Sequence, residues 1–218
     1  MIIKHMFRIS DRLIEIFNKN VYEKAVLELM NRSRKVFPGM YTSVEHQSQG
    51  ECDFIDALSG EKYDAKLPFF SNQVEMLTNG KRHKPEIEGW IRELHEEASE
   101  FNPIKIRDDP MYVRKTKLYK IMEQQLKKDK EDENIVFFIP FPIVMAKEEG
   151  CFLQFASDYL NAIYDCLEKE VNVNGRNIYA IWLSSERNQY VLRRLNSYAP
   201  EFIYYDGLSS YFSCELVQ

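Results

Sequence analysis

Asp53-Phe54-Ile55-Asp56-Ala57-Leu58-Ser59-Gly60-Glu61-Lys62-Tyr63-Asp64-Ala65-Lys66 reads as a β-hairpin, with charged and apolar residues interleaved on both sides of a Ser-Gly turn. With Ser59 and Gly60 as the loop, Leu58 opposes Glu61, Ile55 opposes Asp64, and Asp53 opposes Lys66. Cross-strand partners share a face, as do residues two apart on one strand. Asp53, Asp64 and Lys66 are therefore expected to converge, with Asp56 turned away beside Tyr63. A slip of one residue would exchange the faces and bring Asp56 forward.

Two carboxylates and an ammonium at one point suit phosphodiester hydrolysis. Mg²⁺ prefers hard oxygen ligands and keeps several waters. Once bound, it polarises a phosphate and lowers the pKa of an attacking water. Lys66 could position that water, stabilise developing negative charge or assist proton transfer. The same charges also suit a hairpin that simply keeps one face wet.

The composition supports an enzyme-sized core. A chain of 218 residues with 44% hydrophobic and 29% charged residues is expected to form one domain over 1–218, elaborated by a helical insertion around 80–130. A net charge of -5 argues against a protein that coats nucleic acid, while leaving room for a local basic surface. No stretch reads as a secretion signal or membrane span; the apolar run from Ile135 to Met145 is short and interrupted by Pro140 and Pro142. Cys52, Cys151, Cys166 and Cys214 show neither zinc-ligand spacing nor the dense framework of a secreted domain, so a cytoplasmic protein with reduced thiols is expected, and with no apolar span, no membrane partner.

Outward from the hairpin, helix and strand patterns alternate. Asp11 through Met30 predicts a helix with a stripe of Leu13, Ile14, Phe17, Val21, Ala25 and Leu29. Met40 through Glu45 predicts an edge strand. Pro85–Phe101 and Tyr112–Lys128 predict helices, Ile135–Ile139 a strand, and Ala156–Val171 a helix. Asn177–Leu183 predicts a strand, Glu186–Tyr198 a helix, and Phe202–Tyr205 the last core strand.

With that order of elements, Asp53 and Asp64-Ala65-Lys66 resemble the motif of the PD-(D/E)xK nuclease superfamily, the restriction-endonuclease-like proteins. The direct match covers the hairpin. Cys52 stands where the family often has Pro, and Asp64 occupies an acidic position more often filled by Glu. The resemblance implies an α/β fold with a mixed central sheet flanked by helices. It also implies Mg²⁺ (or Mn²⁺) held by Asp53 and Asp64, with Lys66 organising catalysis. A further acid often comes from the first helix in this family; Glu28 is the leading candidate and Glu23 the alternative. Gln73 resembles a polar residue that helps order the catalytic end of the sheet in some relatives, and a surface amide reads equally well.

The implied function is a metal-dependent endonuclease cutting DNA, in foreign-DNA defence or repair. An inactive member of the same fold that binds protein or nucleic acid is the alternative, as is an unrelated mixed-fold interaction protein. Lys105, Arg107, Arg114, Lys117 and Lys120, with Lys115 between, form a candidate phosphate-contacting surface, which also reads as a solvated helix face. Arg187, Arg193 and Arg194 are a second basic group, in which Arg193 and Arg194 cannot share one direction. A small acidic nuclease further suggests a recruiting protein or a homodimer that coordinates two cuts. His46, His83, His95 and Cys151 lack organised partners, and Trp90 and Trp182 read as core anchors.

Overall fold

The computed structural model describes residues 5–9, 11–44, 51–73, 77, 82–99, 111–128, 132–143, 152–171, 173, 175–184, 189–197, 199–204 and 212–216. The hairpin forms from β3 (Phe54–Asp56) and β4 (Lys62–Lys66), preceded by the edge strand β2 (Tyr41–Ser43). Its register differs from the expected one by two residues: Phe54 pairs with Tyr63 and Ile55 with Lys62. The cause is the Asp56 side chain, which organises a longer loop. Its carboxylate accepts from Met40 N (3.0 Å), Leu58 N (3.0 Å) and Ser59 Oγ (2.7 Å). Asp56 N donates to Glu61 O at 2.9 Å and Gly60 N to Asp56 O at 2.8 Å, with Gly60 at φ 76°. Gly39 packs against this device so closely that a Cβ there would sit 2.6 Å from Asp56 Oδ2.

Because side chains alternate with period two, an even displacement leaves every residue on its expected face. The cross-strand partner of Lys66 is therefore not Asp53, yet Asp53, Asp64 and Lys66 still lie on one side. Phe54, Tyr63 and Ala65 occupy the other and are buried.

Beyond the hairpin, the chain is an α/β protein with a seven-stranded, mixed, strongly curled sheet in the order β2-β3-β4-β5-β6-β7-β8. Here β5 is Glu133–Ile139, β6 Ile178–Leu183, β7 Gln189–Arg194 and β8 Glu201–Tyr204. A separate antiparallel pair joins β1 (His5–Ile9) to β9 (Phe212–Leu216). Strand β5 lies parallel to both β4 and β6, and the remaining pairs are antiparallel. Parallel neighbours require a crossover. The stretch around 80–130 supplies one, through α3 (Lys84–Ser99), α4 (Met111–Arg114) and α5 (Lys117–Leu126), and α6 (Phe152–Glu170) supplies the next. Strands β5 and β6 are buried along their whole length, which is why they read as continuous apolar runs.

Three expectations are corrected. The helix over Asp11–Met30 is two helices, α1 (Asp11–Ile16) and α2 (Lys19–Arg32). Asn18 interrupts it by capping α2, its side chain accepting from Asn20 N at 3.1 Å. The break resets the helical phase, so Ala25, Val26, Leu29 and Met30 face the core while Val21 is 41% exposed. The stretch 186–198 contains β7, not a helix: Tyr190, Val191 and Leu192 are consecutive, buried and paired with β6. A strand covered on both faces loses its alternation, and periodicity then cannot separate it from a buried helix. The expected helix over Tyr112–Lys128 also divides, because Thr116 caps α5. Among the described residues no helix is long and apolar enough to cross a membrane.

Candidate functional site

Capping by Asn18 places Lys19 in the first turn of α2, aimed at the hairpin. Its Nζ lies 3.3 Å from Asp53 Oδ1 and 3.2 Å from Glu23 Oε1, one helical turn on. Asp53, only 2% exposed, also accepts from Ala65 N through Oδ2 at 2.9 Å, which ties it to β4. Asp64 projects beside it, with Lys66 Nζ 2.5 Å from Asp64 Oδ2. These groups border a cleft of about 370 Å³ whose walls include Lys19, Tyr22, Asp53, Asp64, Lys66 and Gln125.

The electrostatics of the cluster are uneven. Burial opposes ionisation of Asp53, but hydrogen bonds from the Asp64 carboxyl and Ala65 amide, with the Lys19 charge, hold it below the usual carboxylate range. Asp64 is pushed up to about 8, first by burial and then by its hydrogen bond to Asp53 and that group's charge, against the pull of Lys66. Glu23 is pushed up to about 7 by burial and by Asp53. Burial followed by these three carboxylates also raises the Tyr22 phenol. Crowded carboxylates of this kind favour any cation that can neutralise them: a proton, an ammonium or a metal ion.

The cleft offers a hard cation two carboxylates, Asp53 and Asp64. Glu23 Oε1 is buried and, although ion-paired to Lys19, takes no well-aligned hydrogen bond. Among the described residues, however, no three His, Cys, Asp or Glu side chains stand as a preformed cage. A cation held by one or two carboxylates and retaining waters matches that arrangement better than an all-protein site.

The other expected residues are distributed differently. Glu28 lies farther along α2, 37% exposed and 3.9 Å from Arg32, and does not line the cleft. Its alternative, Glu23, is the one brought to Asp53. Gln73 accepts from Phe70 N at 2.9 Å and so closes a local turn. On the basic face, Arg114 is ion-paired with Glu170. Lys117 reaches Glu93 at 2.8 Å and Glu97 at 3.9 Å, and lies 5.5 Å over the Trp90 ring; Lys120 is exposed. Much of that charge is thus matched by acids within the fold. Arg193 is buried and donates to Ser197 O at 2.7 Å, while Arg194 is exposed; the two part because neighbours on strand β7 alternate faces, not through the helix expected here. His95 is buried, and His83 lies 3.8 Å from Glu86. Lys105, Arg107, His46, Cys151 and Arg187 lie outside the described residues.

Two cleft residues escaped sequence reasoning. Lys19 was signalled by its spacing from Glu23 after a capping Asn. Gln125, on α5, donates through Nε2 to Leu67 O (2.9 Å) and Phe69 O (3.1 Å), clamping the chain as it leaves β4. Its Oε1 is buried without a hydrogen-bond partner. Nothing local in the sequence marks a distant helix as the partner of a strand end. A larger cleft, about 940 Å³, opens beside Tyr63, on the opposite face of β4. The Asp53, Asp64 and Lys66 side chains line the smaller one. The chain has no match among protein-family models, curated proteins or solved structures.

Proposed function

We propose that this chain is a metal-dependent endonuclease of the PD-(D/E)xK type, hydrolysing DNA phosphodiester bonds in foreign-DNA defence or repair. The observation that carries the reading is the convergence of Asp53, Asp64 and Lys66 in one cleft, with Glu23 and Lys19 behind them. The mixed sheet, with the motif on a hairpin and helices in the crossovers, is a compatible frame.

Asp53 and Asp64 would hold the cation through two carboxylates, with Glu23 supporting them from behind Asp53. Mg²⁺ or Mn²⁺, when bound, would polarise the scissile phosphate and acidify the attacking water. Lys66, bonded to Asp64 in the cleft, would place its ammonium beside the reacting phosphate and stabilise its developing charge. Lys19 would offer a second ammonium to the phosphate as Asp53 engages the cation. Gln125 would keep the end of β4 in place, so that Lys66 holds its direction. A metal-free binding role is the second reading; the ammonium of Lys19 between Glu23 and Asp53 favours it.

The test is a panel of end-labelled DNA and RNA duplexes, single strands, flaps and junctions, incubated with chelator, Mg²⁺ or Mn²⁺. Metal-dependent cleavage by the native chain, nearly lost in folded Lys66→Ala, is the expected result. Tight binding across the panel without cleavage in either metal would support the second reading instead.

A further inference from the structure

The larger cleft has its own chemistry. Tyr41, Tyr63 and Tyr179 form its base, with ring centroids 5.2 Å apart between Tyr41 and Tyr63 and 6.0 Å between Tyr63 and Tyr179. Their rings are sealed, at 4%, 2% and 6% exposure, by one another and by Phe37. No ring face is open for stacking, and what these lining residues can offer a ligand is hydrogen bonding through their hydroxyls. Tyr63 Oη donates to Glu61 Oε2 at 2.8 Å, and Gly39 N donates to Tyr41 Oη at 3.3 Å. Burial raises all three phenols, so they stay protonated and act as neutral hydrogen-bonding groups.

The rim differs in kind from the base. Lys35 and Arg194 both line the cleft and are exposed, and neither is ion-paired to a carboxylate among the described residues. This contrasts with Arg114 and Lys117, whose charges are met within the fold. Two carboxylates also border the cleft: Asp56, taken up by the hairpin loop, and Glu61, which accepts the Tyr63 hydroxyl. Two exposed cations and three tyrosines lining one cleft suit a ligand that carries both an anionic group and hydroxyls. A volume of about 940 Å³ accommodates such a molecule.

We infer that this cleft binds a sugar phosphate unit, the phosphate between Lys35 and Arg194 and the sugar hydroxyls on Tyr41, Tyr63 and Tyr179. The unit could come from a free nucleotide or from the phosphorylated end of a nucleic acid strand, and both present the same chemistry. The inference does not depend on the nuclease reading, because Tyr63 and Asp64 face opposite sides of β4.

Isothermal titration calorimetry on the full chain, in chelator and at low salt, tests it with three probes: ribose 5-phosphate, adenosine 5′-monophosphate and a 5′-phosphorylated single-stranded oligonucleotide. At least one should bind the native chain. Arg194→Gln, with folding checked by circular dichroism, should weaken binding about tenfold or more, as expected for a lost charge-assisted contact. Tyr179→Phe should weaken it several-fold while leaving the charge in place. Binding by adenosine monophosphate assigns a free nucleotide, and binding by the oligonucleotide alone assigns a strand end. The inference is overturned if none of the three binds. Binding unchanged in Arg194→Gln, or inorganic phosphate binding as tightly as ribose 5-phosphate, overturns it equally.

Discussion

Asp56 and Asp64 belong to one hairpin and are both largely buried, yet their surroundings treat them in opposite ways. Asp56 receives two backbone amides and the Ser59 hydroxyl; although burial opposes its charge, those donors hold it below the usual carboxylate range. Asp64 has the Lys66 ammonium but also the Asp53 carboxylate, and burial with that neighbour pushes it up to about 8. The first carboxylate is a finished piece of architecture. The second is a carboxylate whose charge the fold does not fully meet, and a cation would complete it. The same residue type in the same hairpin thus divides into structural and chemical roles according to its donors.

The sharpest way to break this contrast is to remove each carboxylate in turn. Asp64→Asn should lower kcat/KM for metal-dependent cleavage by about 10²–10³-fold, on the scale of losing one stabilising contact to the reacting charge, with the fold intact. Asp56→Ala should instead reduce stability by about 2–3 kcal/mol, since it leaves Met40 N, Leu58 N and the Ser59 hydroxyl without their acceptor. Its activity per folded molecule should be near that of the native chain. Chemical denaturation alongside cleavage kinetics separates the two. A folded Asp56→Ala protein that cannot cleave would show that the division of roles is wrong.

pH probes the same contrast without mutation. Asp64 and Glu23 have folded-state pKa values raised from 3.8 and 4.5 to about 8 and about 7. Such groups contribute stability that is full below their unfolded values and lost as pH rises through the folded ones. Asp53 and Asp56, depressed below 3.8, act in the opposite sense and lose their contribution in acid. The metal-free protein should therefore gain stability from pH 3 to about 4 and lose it from about pH 4 to 8. Mg²⁺ competes with the protons on Asp64 and Glu23, so its stabilisation should grow with pH, to about 2.7 kcal/mol at a hundredfold excess over Kd. Thermal melts with and without Mg²⁺ measure both effects. A metal-free stability that climbs steadily to pH 8 would contradict the crowding of these carboxylates.

Much of this site was legible in the sequence because the period of a strand is robust to error. The Ser59-Gly60 turn was misassigned, yet an even displacement left Asp53, Asp64 and Lys66 on one face. The helical side of the site was less readable. Asn18 has a capping side chain, but an apolar pattern running through it from Ile14 to Leu29 concealed the break, and with it the direction of Lys19. Strand β7 was hidden for the opposite reason: Tyr190, Val191 and Leu192 are covered on both faces, so no alternation survives. Gln125 depends on which crossover helix lies under the end of β4, a tertiary fact with no local signature.

The reset of phase at Asn18 also decides between the two helical glutamates, and this sets the smallest of the expected effects. Residues four apart on a helix share a side, so Lys19 and Glu23 both reach Asp53, whereas Glu28 is turned from them and meets Arg32. Glu23→Gln should weaken Mg²⁺ binding about tenfold, the scale of losing a supporting group in a metal site, and should flatten part of the stability loss above pH 5. Glu28→Gln removes a half-exposed charge whose partner is 3.9 Å away, and should change neither metal affinity nor stability by more than about 0.5 kcal/mol. Mg²⁺ titration followed by the rise in melting temperature resolves the two. Equal effects from both substitutions would mean that net helix charge, not proximity to Asp53, governs the cation, and the contrast between finished and unfinished carboxylates would then extend no farther than the hairpin itself.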